Sequence, residues 1–167
     1  MNTKYPIFSF ILSFLLWVVI PCTAFFGLIS TASALEYNKV NLIEADFSGR
    51  DLTDSSFDHA NLRYSNFSDA NLRGVRFFAA NLESANLKGA DLTNATLDSA
   101  RLIKANLTNA VLEGAFAANA KFDGAIVDGA DFTDVLLRRD EQAKLCKTAQ
   151  GTNPITGRDT RESLFCP

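Results

Sequence analysis

Ala60-Asn61-Leu62-Arg63-Tyr64, Ser65-Asn66-Phe67-Ser68-Asp69 and Ala70-Asn71-Leu72-Arg73-Gly74 are three successive copies of one pattern: a small residue, an amide, a large apolar residue and two variable positions. The register holds without a break from Val40 to Asp134, nineteen pentads in all. Their centres run from Leu42 and Phe47 to Val127 and Phe132, and only Ala117 among them is small. Two residues before each centre stands alanine, at fourteen of the nineteen positions.

A period of five suits neither regular element. Each step of five advances about 140° around an α-helix and scatters the leucines over every side. In a flat strand, side chains alternate faces, so an odd period sends successive centres up and then down. The pattern is satisfied when the chain bends after each pentad and every centre, with its preceding alanine, points inward. Such a chain is a solenoid, whose coils bury one continuous apolar column and contact only their neighbours.

The motif A(D/N)LXX, seen again in Ala90-Asp91-Leu92-Thr93-Asn94, resembles the pentapeptide-repeat family over residues 40 to 134. The resemblance implies an all-β fold, a right-handed quadrilateral β-helix with four pentads per coil, spanning residues 35–137 here. Residues twenty apart then share a face, which sets the columns 47, 67, 87 and 57, 77, 97 opposite each other, each beginning with two Phe. Arg50 occupies a small-residue position, so its head is expected to reach solvent. On this geometry Phe78, Phe116, Ala118 and Leu136 lie outside one face, a patch for a protein partner or a surface for the C-terminal segment to cover.

Upstream, Lys4 precedes an apolar stretch from Ile7 through Ile29 and then Ala32-Ser33-Ala34. This reads as a signal peptide, residues 1–34, cleaved after Ala34; an uncleaved membrane anchor is the alternative. Cleavage discards Cys22, leaves no stable membrane insertion and leaves 133 residues with two cysteines, Cys146 and Cys166. An even pair in an exported chain reads as a disulfide. After Leu137 the rhythm stops. Residues 138–167 read as a helix over Asp140–Lys147, a turn at Asn153–Gly157 and a second short helix capped by Asp159, together a disulfide-linked α-helical cap. Leader, short solenoid and this tail resemble the exported pentapeptide-repeat proteins of the thylakoid lumen in cyanobacteria and chloroplasts, chiefly through Leu145-Cys146-Lys147, Gly151-Thr152-Asn153-Pro154 and Gly157-Arg158-Asp159-Thr160. The resemblance implies the lumen, with the periplasm as alternative, and supplies no catalytic residues.

Chemistry is sparse. His59, the only histidine, falls at a corner and supports neither a multi-histidine metal site nor a nucleophile pair. The acids, Asp46, Asp91 and Asp131 among them, fall at outward positions and read as a solvated shell. No cofactor, metal or enzymatic activity is expected. The pentads carry fourteen acids and eight bases, a net charge of −6, which disfavours direct nucleic-acid binding. Some members of the family are acidic rods that mimic DNA and bind topoisomerases; that alternative fits less well, because export separates the chain from such enzymes and basic residues interrupt the acidic surface. The expectation is a non-enzymatic scaffold for an unidentified protein partner, its oligomeric state open.

Overall fold

The computed structural model describes residues 34–167. The expected leader therefore lies outside the described residues, Ala34 excepted. From Glu36 onward the backbone pairs with itself in parallel at a constant step of twenty: Glu36 with Ser56, Asn41 with Asn61, and so on to Val111 with Asp131. The last contact in this ladder is between β1 (Phe116–Ala117) and β2 (Leu136–Leu137), in register Phe116 to Leu136. Four pentads thus close one coil, and each coil has four sides.

Two kinds of hydrogen bond hold the coils. Across each corner, the first N–H of the next pentad turns back to the preceding centre's carbonyl, as in Ala70 N to Phe67 O at 3.1 Å. Between coils, each centre donates to the carbonyl nineteen residues on, as in Leu62 N to Asn81 O at 2.8 Å, and the preceding residue donates back, as in Asn61 N to Val40 O at 3.0 Å. The turn requires a left-handed residue two positions after the centre. Every such corner from Lys39 to Asp134 has positive φ except Asn119, which follows β1 in the pentad where Ala117 replaces a large centre.

Inside, the centres from Leu62 through Leu112 are fully buried, and the alanines from Ala60 to Ala120 are equally enclosed. Complete burial of each Leu contributes roughly 2 kcal/mol, the term that offsets ordering the coil. The aromatic column begins one pentad before the regular motif: Tyr37 stacks on Phe57 with centroids 4.8 Å apart, Phe57 on Phe77 at 5.2 Å, and Phe47 on Phe67 at 4.9 Å. Across the tube the rings meet edge to face, Phe47 against Phe57 at 5.5 Å and Phe57 against Phe67 at 5.7 Å. Arg50 is exposed, as its position requires.

Outside, amides link the coils. Asn86 Nδ2 donates to Asn66 Oδ1 at 3.0 Å, and Asn66 Nδ2 donates to Asp46 Oδ1 at 3.1 Å. Two corner columns alternate strictly between glycine and Asx: Gly49, Asp69, Gly89, Asn109, Gly129, and Asp54, Gly74, Asn94, Gly114, Asp134. The Asx side chain of one coil lies over the glycine of the next, filling the space where a Cβ would be.

The tail comprises α1 (Arg139–Leu145) and α2 (Thr160–Ser163). Asp159 caps α2 by accepting from Arg161 N at 2.9 Å and Glu162 N at 3.2 Å. Leu145, Ala149 and Leu164 join the core cluster beside Phe132. Cys146 and Cys166 form a disulfide. No helix among the described residues is long and apolar enough to cross a membrane.

The corner geometry yields a paired prediction. Gly49 (φ +62°) has nothing near the position of an added Cβ, whereas Gly89 (φ +67°) faces Asp69 Oδ1. Gly49→Ala is expected to cost about 1 kcal/mol for the left-handed backbone alone. Gly89→Ala is expected to cost more, and Asp69→Gly in that background to recover the difference, as read by urea melts of the single and double variants.

Candidate interaction surface and the C-terminal segment

The patch expected on one face is exposed: Phe78 at 38 %, Phe116 at 43 % and Leu136 at 56 %. Phe116 and Leu136 are direct neighbours in the β1–β2 register, while Ala118 is half-buried. Phe78 stands apart from that pair, with the exposed His59 packed edge-on against its ring at 5.4 Å. The tail does not cover these residues; it folds over the end of the coil instead.

There it meets groups that the next coil would otherwise pair. Phe122 N donates to the carboxylate of Glu141 at 3.3 Å, and Phe132 N to Ser163 Oγ at 3.0 Å. Gly129 N reaches Gln150 O at 2.8 Å. Asn153, buried, uses its amide Nδ2 on the carbonyls of Ala110 (3.2 Å) and Gly129 (2.9 Å). The sequence marked Asn153 only as part of a turn, and nothing local indicates that its side chain joins two coils.

Two carboxylates anchor the tail electrostatically. Glu141 is fully buried and accepts from Lys121 Nζ at 3.2 Å and Lys144 Nζ at 3.0 Å. Burial alone raises its pKa, but the hydrogen bonds from Lys144, Phe122 N–H and Lys121 outweigh that effect and hold it below its ordinary value. Asp131 corrects the expectation of a solvated shell: it is fully buried, because Arg158 of the tail folds over its face and donates at 3.2 Å while also reaching Glu113 at 2.8 Å. Its pKa is pushed up by desolvation and brought below normal by the Thr133 hydroxyl and N–H, Thr156 and Arg158. Asp58 is buried too, accepting from Phe78 N at 3.1 Å, and Asp91 is half-buried beside Arg73; Asp46 and Asp51 are exposed as expected, and the backbone of Ser48 and the hydroxyl of Thr53 respectively lower them.

Among the described residues no group of three His, Cys, Asp or Glu side chains is placed to hold a metal ion. A four-sided coil with polar ladders along its walls and a tail hydrogen-bonded across its last turn defines a repeat protein. The chain belongs to the pentapeptide-repeat family. One family model, a pentapeptide repeat region, matches residues 33–107, and a second, eight copies of the pentapeptide repeat, matches 100–139. A crystal structure of a pentapeptide repeat protein from the thylakoid lumen of Arabidopsis thaliana is 46 % identical, covers 78 % of this chain and 90 % of its own, and superposes with a TM-score of 0.76. A pentapeptide repeat protein from Nostoc is 32 % identical over 65 % of this chain and 88 % of its own, with a TM-score of 0.55. The fold is thus the right-handed quadrilateral β-helix of these proteins. Thylakoid lumenal 15 kDa protein 1 of Arabidopsis thaliana is 57 % identical over 37 residues, a stretch that spans 22 % of this chain and 16 % of that protein.

Two outcomes are expected for the tail. Both anchoring carboxylates have depressed pKa values, so their contribution is complete above about pH 4.5 and disappears as pH falls through the folded values. Thermal melts followed by circular dichroism should therefore be flat from pH 7 to about 5 and decline steeply below about 4. Reduction of Cys146–Cys166, which closes a separation of 20 residues, should lower stability by roughly 3 kcal/mol and expose tail amides to hydrogen exchange before those of the coils.

Proposed function

We propose that the protein is a non-enzymatic scaffold exported to the thylakoid lumen, where its rigid faces engage a protein partner. The observation that carries this reading is the similarity, at 46 % identity over 78 % of the chain, to a pentapeptide repeat protein of the Arabidopsis thylakoid lumen. Function then resides in the outer side chains, because the interior of the coil is filled by Leu, Phe and Ala. The exposed Phe116–Leu136 pair, with Phe78 on the same face, is the contact surface; cleavage after Ala34 releases the soluble form. Residues 138–167 act as a disulfide-linked cap that satisfies the last coil and prevents edge pairing there. The periplasm is the alternative compartment for the same export signal.

DNA mimicry is the weaker reading. It needs an uninterrupted acidic face, whereas Arg73 pairs with Asp91 at 3.0 Å and Arg76 pairs with Asp58 along the rod. Amino-terminal sequencing of the protein from fractionated thylakoids tests the proposal: a start at Leu35 in the lumen is expected, and a start at Met1 in the cytosol together with inhibition of gyrase supercoiling would favour mimicry. Cross-linked capture from the lumen should yield a partner that a Phe78→Ser/Phe116→Ser chain fails to retain.

A further inference from the structure

The end of α2 carries a residue that the fold itself does not explain. Phe165 N–H donates to Glu162 O at 2.9 Å and Cys166 N–H to Arg161 O at 2.9 Å, the paired bonds that terminate a helix through one left-handed residue. That residue is Phe165, at φ +52°. Glycine suits this position, and a Cβ there is strained. The coil corners with the same backbone sign are held by two coils of hydrogen bonds, and no equivalent ladder surrounds Phe165. Nor does burial compensate, since Phe165 is 77 % exposed, the most exposed large apolar residue described. The disulfide at Cys166 fixes the next residue, but glycine at 165 would allow the same bridge.

Two open hollows of about 240 Å³ flank the ring. One is lined by Val135, Leu137, Leu164 and Arg139; the other lies beside Thr133 and Arg158. Arg139 is exposed and makes no ion pair among the described residues, whereas Arg158 is engaged with Glu113 and Asp131. Arg139 is the charged side chain lining the first hollow, which holds no acid, whereas Glu162 also lines the second.

We propose that Phe165 and the hollow beside it are a docking site for an acidic segment of a partner protein, which sets a large apolar side chain against the ring and a carboxylate on Arg139. The inference rests on the scaffold reading but uses different side chains from Phe78, Phe116 and Leu136. A carboxylate is matched at this hollow by Arg139, whereas the pentads, at −6, disfavour acidic contact along the rod.

The test uses the oxidised exported chain and a fluorescent peptide, Glu-Glu-Leu-Glu-Phe-Glu-Glu, followed by anisotropy. Wild type is expected to bind it and not the version with Lys for Glu. Phe165→Gly should raise the melting temperature by a few degrees, because strain is relieved, while weakening binding about tenfold or more, the effect of losing an aromatic anchor. Arg139→Glu should weaken binding with the melting temperature unchanged. A lower melting temperature for Phe165→Gly would make the residue structural and overturn the proposal. So would absence of binding by wild type, equal binding of the Lys peptide, unaltered binding by both variants, or self-association through Phe165 in sedimentation. Loss of lumen capture by the Phe78/Phe116 variant reports on the scaffold reading alone, so the two can fail separately.

Discussion

The hydrogen bond from each central N–H to the carbonyl nineteen residues on is the constraint from which the rest of this molecule follows. It demands a coil of constant circumference, because one residue more or less in any coil would break the pairing on every side above it. Constant circumference in turn demands four equivalent corners, and every corner but Asn119 uses the same backbone: a left-handed residue at the end of one pentad and a turn closed by the first N–H of the next. The inward columns are then fixed in both size and phase. A large residue at the centre fills the tube and an alanine beside the corner lets the walls approach, so the apolar pattern is the packing solution to a hydrogen-bonding requirement.

The same constraint creates two ends with different problems. At the last coil the central N–H groups have no further coil to receive them. Glu141 lies nineteen residues after Phe122, the separation at which a backbone carbonyl would be found, and it supplies its side-chain carboxylate instead. Helix α1 thus begins where coil geometry is abandoned, with one acceptor kept in register. Burying that charge would be unfavourable alone; Lys121 from the coil and Lys144 from the helix flank it, so the residue that completes the ladder also fixes the helix upon it. Among the described residues, two of the polar ladders begin at Asp46 and Asp51, which accept from Asn66 and Asn71. Leu35, Val40 and Ile43 remain exposed around this first coil among the described residues.

How much of this was legible depends on the distance between cause and effect. The solenoid follows from the period of five, because no other backbone can hide residues so spaced; the number of sides does not, and came from resemblance. Tyr37 escaped the motif because Leu35-Glu36-Tyr37-Asn38-Lys39 has neither the alanine nor the Leu or Phe of its successors, although its phase is correct. The alternation of glycine and Asx at the corners is written in the sequence at steps of twenty, and becomes visible once the coil length is known. Helix α1 lies close to its expected span and Asp159 caps α2 as expected, since both signals are local. The burial of Asp131 had no local signal. It is produced by Arg158, twenty-seven residues later, and only the path of the tail brings the two together. The exposure of Phe116 and Leu136 is the converse: an outward phase predicted it, and no distant segment overrode it.

A lattice this regular makes each departure from it conspicuous. The wall is held by backbone hydrogen bonds, and most outward Asp and Asn side chains turn onto the N–H two residues on, as Asn66 does with Ser68 at 3.1 Å. Departures from the pattern are therefore the informative positions. Phe116 departs by placing an aromatic at an outward position in the pentad that also loses its left-handed corner, and Phe165 departs by occupying a glycine conformation without burial. The first is tolerated because adjacent coils carry the wall; the second sits outside the coil ladder, held through its neighbours by the Cys146–Cys166 disulfide, the two helix-ending bonds, and side-chain bonds from Gln142 to Leu164 O and from Arg161 to Pro167 O. Strain that the fold does not require and burial does not offset is retained, in a chain free to substitute glycine, when the side chain acts on something outside the molecule. On that argument the repeats supply rigidity, and the two departures, at Phe116 and at Phe165, are the positions that the proposed contacts use.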